Sequence, residues 1–238
     1  MKVNDQQIQQ LYKFTRAHYV EHFDVQTELV DHLANDIEQI WQEKPSLSFD
    51  EAKTISFKKF GVFGFMDVVA ERQKALSKKY WKLIWSFTKN WFKLPKIILT
   101  ALIFSLFYVV CKNSYGEYLL LSTLLILCLY LIYRGFILKR KFKQRFVETG
   151  KKWVLEEMIF TTGMGTAFFL PVNLFNIVNL TNFEHTISQS NFMALLYSAI
   201  FTFLVIVFYI AIEILPKKAE ELLTEQYPEY KLVLKAPA

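Results

Sequence analysis

The sequence predicts an all-α membrane protein: a small cytoplasmic helical domain, then a four-helix transmembrane domain, with both termini cytoplasmic. Three observations carry that prediction. Residues 97–215 contain four long apolar runs separated by short polar stretches. Residues 1–71 are polar and acidic, with seven Lys/Arg against twelve Asp/Glu. Residues 72–96 join the two halves with eight Lys/Arg, six aromatics and no acidic residue. A hydrophobic content of 53% with 23 Phe, and a mean hydropathy of +0.21, point to a membrane protein. The net charge of +6 is concentrated beside the apolar runs, so anionic lipid is the expected partner and nucleic acid is not. The first thirty residues lack the apolar core of a cleavable signal, so internal spans are expected to direct insertion.

In residues 1–76 the spacing predicts a first helix over 4–22, with Ile8, Leu11, Tyr12 and Phe14 inward. A second is predicted over 25–43, where Leu29, Val30, Leu33, Ile37, Ile40 and Trp41 recur at three- and four-residue steps. Asp24 is its candidate N-cap. Ser48-Phe49-Asp50-Glu51 is a capping-box pattern and starts a third helix, which Gly61 stops. After the connector Val62-Phe63-Gly64, a fourth helix is expected from Phe65 toward the basic joint.

Residues 77–96 form the joint. On a helical wheel Lys78, Lys82, Lys89, Lys93 and Lys96 share one sector, and Trp81, Trp85, Thr88 and Phe92 the next. That sorting predicts a helix lying at the membrane surface, ended by Pro95. Lys78, Trp81, Lys82, Trp85, Lys89, Trp91, Lys93 and Trp153 are the predicted lipid-interface residues, because ammonium and indole groups favour the headgroup layer.

The transmembrane domain, residues 97–215, is predicted to have spans near 97–111, 118–138, 158–178 and 192–215. The loop 139–153 holds seven Lys/Arg and one acid, and Pro216-Lys217-Lys218 follows the last span. The loops 112–117 and 179–191 hold one Lys and none. The positive-inside rule therefore puts the termini and residues 139–153 in the cytoplasm. The tail, 216–238, is expected to contain a short amphipathic helix that breaks before Pro228.

The pieces Glu28-Leu29-Val30-Asp31-His32-Leu33, Ser48-Phe49-Asp50-Glu51-Ala52, Phe60-Gly61 and Phe65-Met66-Asp67-Val68-Val69 carry a resemblance. Residues 20–76 resemble the HAAS family of small helical domains, which overlaps in character with the permease-prefix domains. Where that family has a Pro in the turn after the Gly, this chain has Val62-Phe63-Gly64. The resemblance implies an interaction or signalling module attached to membrane spans, and a bacterial inner membrane as its location. It implies no catalytic residue.

Candidate chemistry is sparse. His18 and His22 are four apart, as are Glu28 and His32, but the pairs fall on different predicted helices and HExxH is absent. Surface or capping roles are expected, and neither a metal site nor a cofactor. Cys111 and Cys128 are isolated in apolar runs and read as buried hydrophobes. No ionisable residue falls near the centre of a predicted span, which argues against a pump. Arg134 and Glu213, near span ends, are expected to snorkel singly rather than pair. Gly163 and Ala167 in span three, and Ala194, Ser198 and Thr202 in span four, form small-residue stripes expected to meet each other or a second copy. Asn173 and Asn176, beside Pro171, are candidates for a polar cavity. Asn179-Leu180-Thr181 fits a glycosylation sequon. With no nucleophile, metal cluster or acid–base pair assembled, the expected function is a non-enzymatic membrane adaptor or regulator that binds a protein partner through residues 1–76. The alternative is a small permease-like component that oligomerises around a pathway lined by span three.

Overall fold

The computed structural model describes residues 1–161 and 187–231. Every named element among the described residues is a helix, as predicted. The chain divides into two compact units, residues 1–78 with 150–155, and residues 79–149 with 156–238.

The first unit holds α1 (Asp5–Ala17), α2 (Phe23–Glu43), α3 (Phe49–Lys58) and the start of α4 (Met66–Trp91). α1 opens with a capping box in which Asn4 and Gln7 satisfy each other's backbone amides. It ends five residues before the predicted limit because Tyr19 adopts a left-handed φ of 65°. α2 buries the predicted face, with Leu29, Leu33 and Ile37 fully enclosed. α3 carries the predicted capping box: Glu51 Oε2 accepts from the Ser48 amide at 2.9 Å, and the Ser48 hydroxyl accepts from the Glu51 amide at 3.4 Å. Exchanging such a cap for Ala costs about 1 kcal/mol.

The expectation for Asp24 needs correction. The residue preceding α2 is His22, and Asp24 lies inside the helix, 8% exposed. Its Oδ1 accepts the Val154 amide at 3.3 Å. Val154 begins α7 (residues 154–161), so Asp24 satisfies an orphan amide of that helix rather than of its own. The Phe23 amide donates to the Lys152 carbonyl at 2.7 Å, and the Phe23 ring meets Trp153 edge-on at 5.2 Å. Residues 150–155 thereby join this unit, a long-range closure that local periodicity does not encode.

The second unit contains the rest of α4, then α5 (Lys96–Lys112), α6 (Gly116–Thr149), most of α7, and α8 (Asn191–Tyr209). α8 passes without a break into a π-helical turn, Ile210–Ile214, then α9 (Leu215–Lys217) and α10 (Ala219–Gln226). α6 and the stretch Asn191–Lys217 are each long and apolar enough to cross a membrane. α5 has 17 residues, about 26 Å at the usual helical rise, and makes a third candidate when taken with α4, from which it turns by 92°. Predicted span three, from residue 162 onward, lies outside the described residues. α6 runs to Thr149, so much of the predicted 139–153 loop is helix.

α5 packs against α6 and α8. Phe107 stacks on Phe201 at 5.6 Å, and Cys111, Leu120 and Ala194 are fully buried beside them. The opposite faces are bare: Ile98, Leu102 and Val109 of α5, and Leu125 and Leu129 of α6, are all more than half exposed. An apolar surface of this extent suits hydrocarbon rather than water.

Candidate functional site

In the first unit, the chain between α3 and α4 makes a tight loop, with the Gly64 amide donating to the Gly61 carbonyl at 3.3 Å. Gly61 and Gly64 adopt φ of +77° and +55°, and a Cβ on Gly64 would meet the Phe57 ring at 3.1 Å. The loop's base is an aromatic cluster, with Phe65 4.9 Å from both Phe57 and Phe60. Its tip is apolar and bare: Val62 is 98% exposed, Phe63 71% and Met66 54%. Immediately upstream, His32, Asp36, Ser56, Lys59 and Phe60 line a recess of about 200 Å³. Lys59 Nζ pairs with Asp36 Oδ1 at 2.6 Å. The Ser56 hydroxyl is buried and has no hydrogen-bond partner among the described residues. Sequence reasoning treated 62–64 only as a connector; two large apolar residues bracketed by glycines were the signal available.

His18 is used locally. His18 Nδ1 lies 2.8 Å from the Phe14 carbonyl, and its ring packs against Phe14 and Phe57 at 4.2 and 4.6 Å. Among the described residues, no group of three His, Cys, Asp or Glu is placed to hold a metal ion.

The second unit has two polar clusters. In the first, Glu213 accepts from the Tyr130 hydroxyl at 2.8 Å, from the Arg134 guanidinium, and from Lys217 at 3.2 Å. This corrects the expectation that Arg134 and Glu213 snorkel singly. The π-helical turn carries Glu213, a geometry frequent at functional sites. Tyr130 also lines one end of an apolar cavity of about 410 Å³ between α5, α6 and α8.

In the second cluster, Glu156 Oε1 accepts from Arg145 Nε at 2.7 Å and from the Tyr230 hydroxyl at 2.9 Å, and Arg145 also donates to Tyr230. Glu156 and Tyr230 are 3% and 1% exposed. Burial pushes the Glu156 carboxyl above its ordinary range, against the pull of the Tyr230 and Arg145 contacts. Burial likewise raises the Tyr230 hydroxyl, with the Glu156 charge adding to it. The expected tail helix is present as α10, and four residues beyond it Tyr230 is anchored in this cluster, which sequence reasoning missed.

The predicted interface residues divide. Lys78, Lys82 and Lys89 are exposed on α4 and Lys93 in the turn just after it, with Trp81 and Trp85 about half exposed. Tyr80, Ile84, Thr88 and Trp91 form the buried stripe of the same helix, and burial pushes the Tyr80 hydroxyl up to about 12. Trp91 and Trp153 therefore do not face lipid. Trp91 donates through Nε1 to the Thr100 hydroxyl at 3.1 Å, and Trp153 packs on Phe23 in the first unit. The wheel misplaced Thr88 for the same reason: Tyr80 and Ile84 define the inward direction.

Ala194, Ser198 and Thr202 are buried on α8. Ser198 and Thr202 donate to carbonyls four residues back, at 2.6 and 2.7 Å. Among the described residues this stripe belongs to the α5-packed side of α8, with Cys111 of α5 in contact with Ser198. Gly163, Ala167, Asn173, Asn176 and the 179–181 sequon lie outside the described residues.

No family model, no curated protein and no solved structure matches the chain.

Proposed function

We propose that the chain is a non-enzymatic, multi-pass membrane adaptor or regulator whose first unit lies in the cytoplasm and binds a protein partner. The observation that carries this reading is the Gly61–Gly64 loop, which leaves Val62 and Phe63 exposed above a packed aromatic base. Exposed apolar side chains on a fixed loop lose little entropy on binding and serve well as interface anchors. The neighbouring recess adds a buried hydroxyl and an ion pair, a polar complement at the edge of an apolar contact.

The membrane reading rests on the bare apolar faces of α5 and α6 and on the span-length helices. The composition of the first unit supports the topology. Residues 1–78 and 150–155 belong to one compact body, which supports an even number of crossings for residues 79–149. α5 and α6, joined by a short turn, supply two crossings. The body then shares a side with the basic residues 139–153, the cytoplasmic side by the positive-inside rule. With α8 and the apolar residues 158–178, four spans return the C-terminus to that side.

Site-specific photocrosslinking tests the adaptor reading. A benzophenone residue replacing Phe63, in the full chain in its native membrane, is expected to form a discrete protein adduct. Val62→Asp should abolish that adduct while leaving the chain in the membrane. Crosslinks to lipid alone, or no adduct, would overturn the reading.

A further inference from the structure

We infer that the cavity between α5, α6 and α8 holds an acyl chain of an anionic phospholipid whose phosphate rests against Arg134 and Lys217. The cavity measures about 410 Å³, within the range of small-molecule sites. Its walls are almost wholly hydrocarbon, from Ile103 and Phe107 on α5 to Phe201 and Phe208 on α8. Along α6 it extends from Leu120 to Leu131, roughly 16 Å at the helical rise. That is an elongated apolar slot, shaped for a chain rather than a ring.

Its polarity is one-ended. Tyr130 lines the cavity, and the Tyr130 hydroxyl donates to Glu213, which also receives Arg134 and Lys217. Two cations around one carboxylate leave a net positive charge at that end. Glu213 accepts through Oε1 from Arg134 Nε, so the guanidinium fork keeps further N–H groups for a second acceptor. Lys217 is 67% exposed and its ammonium carries three donors. The π-helical turn sets Glu213 in the wall at this point, and the two cations converge on it. An apolar slot closed by a net cationic cluster complements an acyl chain ending in a phosphodiester. Zwitterionic lipid fills the slot equally well but adds its own cation at the cluster. Free phosphate matches the cluster but leaves the slot empty. This site is separate from the basic face of α4, whose lysines attract anionic lipid without enclosing a chain.

The test uses the full chain in detergent, with retained lipid counted by native mass spectrometry during titration with phosphatidylglycerol, phosphatidylcholine or inorganic phosphate. One phosphatidylglycerol should be retained at about tenfold lower concentration than phosphatidylcholine, and phosphate should not displace it. Arg134→Gln with Lys217→Gln should erase the preference, and Leu127→Trp, which fills the slot, should remove the tight site for both lipids. A measurement on the unmodified chain guards against misfolded variants: phosphatidylglycerol with a diazirine in its acyl chain should label Thr123 and Leu127, which line the slot, ahead of Ile98 and Leu102, which are exposed outside it. Equal retention of the two lipids, displacement by phosphate, tight retention by Leu127→Trp, or labelling spread evenly over the bare helix faces would each overturn the site.

Discussion

Glu51 and Glu156 are two carboxylates pushed in opposite directions by their surroundings. Glu51 accepts from the Ser48 amide and hydroxyl, and these bonds hold its carboxyl below the ordinary value of 4.5. Its contribution to stability is therefore present above that value and is lost as the pH falls through the folded-state value. Glu51→Gln should keep α3 capped yet flatten this acid dependence, measured by amide exchange over α3 from pH 3 to 6. Ser48→Ala should cost about 1 kcal/mol. Glu156 has the reverse sign. Burial raises its carboxyl, so its contribution is full below the unfolded value and declines as the pH rises through the folded one. Glu156→Gln should remove that decline. Arg145→Met should leave a buried carboxylate unpaired and cost about 3–5 kcal/mol, read from the thermal transition of the detergent-solubilised chain. The capping box could be read from sequence because its partners are three residues apart. The Arg145–Glu156–Tyr230 cluster could not, because Tyr230 lies 74 residues from Glu156 and nothing local announces the meeting.

Among the elements, α4 was the most and the least legible. Its charge and aromatic content marked a lipid-facing helix, and the exposed lysines with Trp81 and Trp85 fit that expectation. Trp91 was expected at the lipid interface, and the wheel set Thr88 beside Trp81 and Trp85, because composition cannot tell an interfacial indole from a core one. Packing decided it: the Trp91 indole bonds Thr100 and meets Tyr209 edge-on at 5.4 Å. Arg134 and Glu213 were misjudged for a related reason, since their pairing needs α6 beside the π-helical turn, 79 residues away. Gln at Lys78, Lys82, Lys89 and Lys93 together should weaken binding to phosphatidylglycerol vesicles by about 1 kcal/mol per lysine, with the loss shrinking in high salt. Four Gln substitutions that left vesicle binding unchanged would reduce this face to a solvated helix surface.

Across the whole molecule, the all-helical class and the span-length helices followed from apolar run length, a property each segment carries by itself. The division into units did not follow fully. Residues 1–76 were anticipated as a domain, but 150–155 belong to the same body through the Phe23–Lys152 and Asp24–Val154 backbone contacts. That closure constrains the topology, since residues 62 and 151 must then lie on one side of the membrane. In the proposed topology this body faces the cytoplasm and α5 and α6 form a hairpin across the bilayer. Labelling of single cysteines with a membrane-impermeant maleimide tests it most directly, in intact cells and in inverted vesicles, with Cys111 and Cys128 replaced. Val62→Cys and Lys151→Cys should react only in inverted vesicles, and Ser114→Cys only in intact cells. Val62→Cys and Ser114→Cys reacting from the same side would contradict it.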